Sequence, residues 1–259
     1  MSFIHYITRA LLNAVLIIST GILPWIGVAA VLNLISSSIQ RNMLFPGTRG
    51  FIFLTAPGVV VHELSHAAFC LVFRHRIVKM KLFSPEDNGT LGYVQHQYDP
   101  HSIYQRTGNF FIGTGPIWGG LFLLYILSRL LLPQDIFSSG RSYYDCPAGF
   151  LSFLFSAKAW GSLSFYVWLY ASLTISAHIT LSPPDIRGAR DGGIALVVFI
   201  VLACLLFGWC GNWEEYMVQK LIQFFLQFFS LLILIATGLL LIVVILKCIP
   251  IKFRISRRR

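Results

Sequence analysis

Two histidines and a glutamate stand at metal-binding spacing inside an apolar stretch of the chain. The segment Val61-His62-Glu63-Leu64-Ser65-His66 matches the pattern H-E-x-x-H. Residues four apart lie one above the other on a helix, so His62 and His66 can bind one zinc ion while Glu63 reaches a water molecule beside it. The spacing therefore predicts a zinc site with Glu63 as general base. The alternative is that these side chains only hydrogen-bond to one another between helices.

A third ligand must come from elsewhere, because a catalytic zinc ion usually has three protein ligands. Asp185 is the first candidate, since the preceding Pro183 and Pro184 break the helix and irregular backbone within a membrane is tolerated where it lines a cavity. Asp191 and His178 are the competing ligands, and His178 is also a candidate for orienting a ligand or stabilising an oxyanion. Alternatively, Asp185 caps a loop or pairs with a neighbouring arginine.

The composition indicates that lipid surrounds much of the chain. Of its 259 residues, 56% are hydrophobic and 12% are charged, about half the charged fraction of a soluble domain. This excludes an ordinary soluble domain and a disordered chain. The five cysteines include no C-x-x-C pair, which argues against a disulfide framework. The net charge of +10 is spread between apolar runs, so we expect no nucleic-acid partner.

Six apolar runs are long enough to cross a bilayer, which takes about 20 residues. The fourth run is the weakest prediction, because Lys158 and Gly161 interrupt it. If the membrane crossing begins after these two residues, it covers only 163–181. We therefore expect an α-helical polytopic membrane protein, one domain over 1–259, with about six transmembrane helices. The runs lie near residues 10–36, 51–73, 110–132, 151–181, 193–213 and 221–249.

The distribution of basic residues predicts the orientation of these spans. Most of the 20 Lys and Arg residues fall on the side that holds both termini, so the positive-inside rule places both termini in the cytoplasm. We recognise no organelle-targeting segment and expect a multi-pass protein of the plasma (inner) membrane. On the cytoplasmic side, segments 77–83 and 91–97 flank turn residues and predict a β-hairpin after the second helix, lying at the membrane surface.

On these residues the chain resembles the intramembrane zinc metalloproteases of the site-2 protease family. The resemblance covers about residues 51–192, which leaves 1–50 and 193–259 as peripheral helices. It rests on the zinc motif inside a membrane helix, on a Pro-Asp pair similar to the family's Asn-Pro-Asp-Gly element, and on a Gly-Pro turn similar to the one that opens a family core helix. These are His62-Glu63-Leu64-Ser65-His66, Pro184-Asp185 and Gly113-Thr114-Gly115-Pro116.

The chain also departs from the family pattern. Pro183 and Ile186 replace the family's Asn and Gly around the aspartate, and Gly119 stands where an Asn often follows the Gly-Pro pair. In the family these asparagines help to hold the substrate backbone. We therefore expect altered substrate handling with the zinc chemistry retained.

The resemblance implies a zinc-dependent endopeptidase that hydrolyses peptide bonds within or near transmembrane segments of membrane proteins. The hairpin would offer a strand edge to an extended substrate, with Lys79, Leu82, Leu91 and Tyr93 as the candidate clamp, or it would only cover the end of the core. The alternative function is a non-proteolytic, metal-binding membrane regulator or transporter subunit on the same scaffold. Glu63 favours the protease, because a purely structural zinc site has no need of it.

Overall fold

The computed structural model describes residues 3–22, 27, 30–31, 33–34, 52–86, 90–134, 152–207, 216 and 219–220, which form helices and one β-hairpin. In chain order the described elements are α1 (Phe3–Ile17) with a π-helical turn (Ile18–Ile22), α2 (Ala56–Val72), β1 (Arg76–Lys81), β2 (Tyr93–Gln97), α3 (Ile103–Gly113), α4 (Gly115–Leu131), α5 (Ala157–Trp160), α6 (Leu163–Ala177) and α7 (Pro183–Phe207). The predicted helical chain with a hairpin after the zinc-motif helix is confirmed.

One described helix, α7, is long and apolar enough over Pro183–Leu206 to cross a membrane. The pair α3 and α4 reaches this length only if it counts as one span, because the two helices meet at a bend of 60°. The apolar helices α1, α2 and α6 are shorter. The predicted span at 221–249 and parts of those at 10–36 and 193–213 lie outside the described residues, so the number of six spans stays a prediction.

The turn after α2 carries the chain from the helix into the hairpin. Arg74 adopts a left-handed backbone conformation with φ of 57°. The amide of His75 then donates to the carbonyl of Cys70 at 2.8 Å, as in the motif that commonly ends helices. As a result, the His75 side chain points inward and is only 4% exposed.

The hairpin forms close to where the sequence predicts it. Strands β1 and β2 pair antiparallel, with an irregularity between Ile77 and Lys79. The Ser84 amide extends the pairing by donating to the Leu91 carbonyl at 2.6 Å. Within the described part of the chain the sheet has two strands, so the second edge of β2 pairs with no described strand.

Glycines let the helices around α2 approach to backbone distance. A Cβ added to Gly119 of α4 would lie 2.0 Å from the Ser65 hydroxyl oxygen on α2. One added to Gly58 of α2 would lie 2.0 Å from the Thr174 carbonyl oxygen on α6. Helix α3 also packs on α2, and α7 lies along α3. The zinc-motif helix is thus surrounded by α3, α4, α6 and the hairpin.

Pro183 and Pro184 begin a helix, which corrects the prediction that they leave irregular backbone around Asp185. Helix α6 ends at Ala177, and α7 begins at Pro183, so the irregular segment is 178–182. Proline suits a first helical turn because its missing N–H would have no partner there. The Ser182 amide donates to Asp185 Oδ2 at 2.8 Å, and the Asp185 amide donates to the Ser182 hydroxyl at 3.4 Å. This reciprocal cap fixes Asp185 on the first turn of α7.

The contact between α3 and α7 is predicted to depend on Gly192. A Cβ there would lie 2.0 Å from the Phe110 backbone nitrogen, so Gly192→Ala must force the helices apart. We expect a loss of about 1–3 kcal/mol in the free energy of unfolding, measured as a lower thermal midpoint in detergent.

Gly188 provides the matched control on the same helix. The nearest atom to a Cβ added there is 3.9 Å away, so Gly188→Ala fits. It should leave the midpoint unchanged or raise it, because alanine favours a helix over glycine by about 1 kcal/mol. Equal midpoints for the two variants would contradict the close contact.

Candidate metal centre

Three potential metal ligands converge between α2 and α7. The Nε2 atoms of His62 and His66 lie 3.2 Å apart. Asp185 Oδ1 is 3.4 Å from His66 Nε2, and Asp185 Oδ2 is 4.0 Å from His62 Nε2. One ligand atom from each residue lies within 4.8 Å of the other two. The structure therefore brings together the two motif histidines and the aspartate, in an arrangement that could hold a metal ion.

Main-chain carbonyl groups orient both histidine rings. His62 Nδ1 lies 2.7 Å from the His178 carbonyl oxygen, and His66 Nδ1 lies 2.7 Å from the Ile112 carbonyl oxygen. A carbonyl only accepts, so each Nδ1 carries the hydrogen and each neutral ring has a lone pair at Nε2. These carbonyls belong to the ends of α6 and α3, where helical carbonyls lack intrahelical partners. Metal-bound histidines are commonly held in this way.

The donor set fits a metal ion such as zinc. The two Nε2 lone pairs and the Asp185 carboxylate are all acceptors, so placing them this close is unfavourable until a cation lies among them. Two imidazoles and one carboxylate are ligands that zinc accepts. Glu63 is only 6% exposed, and its Oε2 is buried with no hydrogen-bond partner among the described residues. An unpartnered carboxylate oxygen beside a metal site fits the binding of a water molecule there.

The cluster opens into a cavity of about 1080 Å³. Its described wall includes the carboxylates of Glu63, Glu86, Asp185 and Asp191, and no Lys or Arg residue of the described chain lines it. In a chain of net charge +10, this gathering of carboxylates favours a cation. One side of the wall is formed by residues 90–96, which include β2 from Tyr93 to His96.

The competing ligands of the sequence analysis occupy other positions. Asp191 lies in the cavity wall but outside the three-residue cluster, is exposed, and has its Oδ1 3.6 Å from Arg190 Nε. His178 also lines the cavity, while its carbonyl holds His62 and its Nδ1 donates to the Thr174 carbonyl at 3.0 Å. The structure thus places His178 behind the cluster, where its carbonyl orients the His62 ring.

The hairpin residues predicted as a clamp divide into two groups. Leu91 and Tyr93 line the cavity, whereas Lys79 and Leu82 are not in its described wall. The reason is that β2 faces the cavity, and the Lys79 ammonium instead lies 5.5 Å from the centre of the Tyr93 ring. Lys79 and Leu82 therefore lie outside the described cavity wall, and their part in a substrate clamp stays a prediction.

Sequence reasoning missed several cavity residues. A Cβ added to Gly92 would lie 2.8 Å from Glu63 Cγ, so this glycine allows the chain just before β2 to lie against the Glu63 side chain. Asn109 is buried on α3 and faces the same cavity. His96 of β2 also lines the cavity. No local spacing marks these residues, because only the packing of the hairpin and α3 on α2 brings them to the site.

His96 is paired with the buried His75. Their Nδ1 atoms lie 3.0 Å apart, and the Tyr98 ring stacks on His75 at 5.1 Å between centroids. Burial, together with the charges of His75 and His66, lowers the pKa of His96 from 6.5 to about 4. Burial also lowers the pKa of His75. Both rings are therefore neutral near pH 7.

Comparisons of the chain with protein-family models, with curated proteins and with solved structures found no match.

Metal binding is predicted to depend on the three clustered residues and not on Asp191. Purified wild-type protein should carry about one zinc ion per chain, measured by mass spectrometry of the metal after gel filtration. His66→Ala and Asp185→Asn should lose most of it, because each removes one of three ligands.

Two variants control this measurement. Asp191→Asn removes a carboxylate of the same cavity wall. Ser182→Ala removes the capping hydroxyl but keeps the Ser182 amide, which donates to Asp185 Oδ2 and still holds the carboxylate. Both should retain the metal. Loss of zinc in Asp191→Asn with retention in Asp185→Asn would reassign the third ligand.

The lowered pKa of His96 predicts a loss of stability as the pH falls from about 6.5 to about 4. In that window the unfolded chain binds a proton that the folded chain does not, so proton uptake favours unfolding. The thermal midpoint should therefore fall less between about pH 7 and about pH 5 in His96→Gln than in the wild type. His101→Gln, which removes an exposed histidine, is the matched control. Parallel curves for His96→Gln and wild type would contradict the prediction.

Proposed function

We propose that the protein is a zinc-dependent intramembrane endopeptidase, similar to the site-2 proteases, which hydrolyses peptide bonds within or near transmembrane segments. The observation that carries the proposal is the convergence of His62, His66 and Asp185 beside the buried, unpartnered Oε2 of Glu63. A site that only holds a metal does not need a free carboxylate next to its ligands. The apolar helices around it, α7 above all, support a membrane location.

The proposed reaction assigns a task to each residue of the cluster. A zinc ion held by His62, His66 and Asp185 would supply a Lewis acid that polarises a peptide carbonyl and makes water a nucleophile near neutral pH. Glu63 Oε2 accepts the proton of the water as its oxygen attacks the carbonyl carbon. The C–N bond then breaks, and Glu63 returns the proton to the leaving amine. The products are one new carboxyl end and one new amino end.

His178 acts in this proposal by orientation. Its carbonyl fixes the His62 ring, and its own Nδ1 donates to the Thr174 carbonyl. The neutral ring therefore presents an acceptor at Nε2, which cannot donate to a developing oxyanion. We assign His178 to the positioning of His62 and leave oxyanion stabilisation to other groups.

The substrate segment must be extended before attack, because the amides of a transmembrane helix are hydrogen-bonded along the helix. Residues 93–96 of β2 line the cavity, and the β2 edge that pairs with no described strand can pair with an extended main chain. Leu91 and Tyr93 belong to this wall and form the proposed clamp. Such pairing places little demand on the side chains of the substrate.

The membrane arrangement belongs to the proposal as well. We place the protein in the plasma (inner) membrane as a multi-pass protein with both termini and the hairpin in the cytoplasm, in line with its distribution of Lys and Arg. The cavity beside the hairpin would then open towards cytoplasmic water. Its carboxylates suit a water-filled space and not a lipid-facing surface.

Glu63→Gln is predicted to abolish proteolysis and to retain the metal. Cells expressing wild type or Glu63→Gln at matched levels are compared by mapping new protein N-termini that fall inside transmembrane segments. Such termini should appear with the wild type only, because glutamine cannot accept the proton. Asp99→Asn, an exposed carboxylate outside the cavity wall, is the matched control and should keep them.

The opposite outcome is equally informative. If wild type and Glu63→Gln give the same termini while both bind zinc, the chain is not a protease. The function would then be that of a metal-binding membrane regulator or transporter subunit.

A further inference from the structure

A second pair of histidines lies beside the proposed metal centre and takes no part in the mechanism above. His75 Nε2 is 2.8 Å from the Gln105 carbonyl oxygen, and His75 Nδ1 is 3.0 Å from His96 Nδ1. His75 is buried in the turn after α2, whereas the half-buried His96 lines the cavity. His96 and His66 of the metal centre line the same cavity.

The hydrogen bonds of this pair fix the position of each proton. The Gln105 carbonyl accepts only, so the hydrogen of neutral His75 is on Nε2 and its Nδ1 is an acceptor. His96 Nδ1 must therefore carry a hydrogen and donate it to His75. The remaining nitrogen of the neutral His96 ring, Nε2, is then a hydrogen-bond acceptor on a side chain of the cavity wall.

We propose that His96 is a substrate-binding residue whose Nε2 accepts a hydrogen bond from a main-chain N–H of an extended peptide in the cavity. His75 is the positioning residue, because it holds the His96 ring and its tautomer. The inference rests on the proposed function and adds to it a contact with the substrate main chain that does not depend on the metal.

The proposed ligand follows from what an unwound transmembrane segment needs. Unwinding exposes N–H and C=O groups that cost free energy unless each finds a partner away from water. The β2 edge can satisfy groups on one side of the peptide only. The His96 acceptor satisfies an N–H of the peptide beyond the stretch that pairs with this edge. Every peptide has main-chain N–H donors, whatever its side chains are. Binding through His96 is therefore as independent of the substrate sequence as pairing with the β2 edge.

The test measures peptide binding without cleavage. The full chain carries Glu63→Gln, is loaded with zinc and is reconstituted in phosphatidylcholine vesicles. The probe is a synthetic dansyl-labelled leucine–alanine peptide of about 24 residues with a central Gly-Gly pair, long enough to span the bilayer. Binding is read as energy transfer from tryptophan to dansyl, and zinc content reports whether each variant is folded.

Two substitutions distinguish the role of the His96 Nδ1 donor from that of the Nε2 acceptor. Asparagine keeps a donor near the Nδ1 position but offers no acceptor near Nε2, so His96→Asn should weaken binding roughly fivefold. Glutamine places an oxygen near the Nε2 position, so His96→Gln should bind within about twofold of the parent. His75→Phe should weaken binding as His96→Asn does, and the double variant should be no weaker, since both changes remove one contact.

Each other outcome overturns the inference in a recognisable way. Equal binding by all zinc-loaded variants removes His96 from the substrate site and leaves the proposed function standing. Weakening by His96→Gln with near-parent binding by His96→Asn assigns the effect to the bond with His75 and overturns the acceptor role. Equal weakening by both variants also overturns it, because the oxygen that glutamine retains near Nε2 then makes no difference. If the parent itself fails to bind the probe, both the inference and the peptide-binding cavity of the proposed function fail.

Discussion

Two hydrogen bonds from histidine Nδ1 atoms to main-chain carbonyls determine what the centre of the molecule can do. They leave lone pairs on both Nε2 atoms, 3.2 Å apart, and turn two side chains of an apolar helix into convergent acceptors. If either ring carried its hydrogen on Nε2, that hydrogen would occupy the space between the rings. The carbonyls come from Ile112 and His178, so the tautomers of α2 depend on where α3 and α6 end.

The close packing of the helices is a condition for this arrangement. A Cβ on Gly58 would meet both the Thr174 carbonyl and the His178 ring, which would move the carbonyl that orients His62. A Cβ on Gly113 would lie 2.4 Å from the Asp185 carbonyl oxygen and would move Asp185 away from His66. Glycine is therefore required at these contacts, because the backbones of two helices lie directly against each other. Glycine lowers the helix propensity at these positions, but it allows the close packing on which the cluster depends.

The parts of the site that follow from local periodicity could be predicted from the sequence, and those that follow from tertiary packing could not. The i, i+4 spacing of His62 and His66 and the alternating segments of the hairpin each depend on a few consecutive residues, and both appear at the expected positions. The two prolines were misjudged, because the same residues that end one helix can also begin the next. His96 and Asn109 carry no local signal, since their place in the cavity depends on how β2 and α3 lie on α2.

The Asp185 side chain both caps helix α7 and belongs to the three-residue cluster. Its Oδ2 accepts from the Ser182 amide at 2.8 Å, while its Oδ1 faces His66 Nε2 at 3.4 Å. The cap holds the carboxylate in place, and the N-terminal end of α7 favours its negative charge. The departures at Pro183 and Ile186 flank this carboxylate and leave both of its oxygens in use. A change in those flanking residues can therefore alter the cavity surface beside Asp185 while the geometry of the three-residue cluster stays the same.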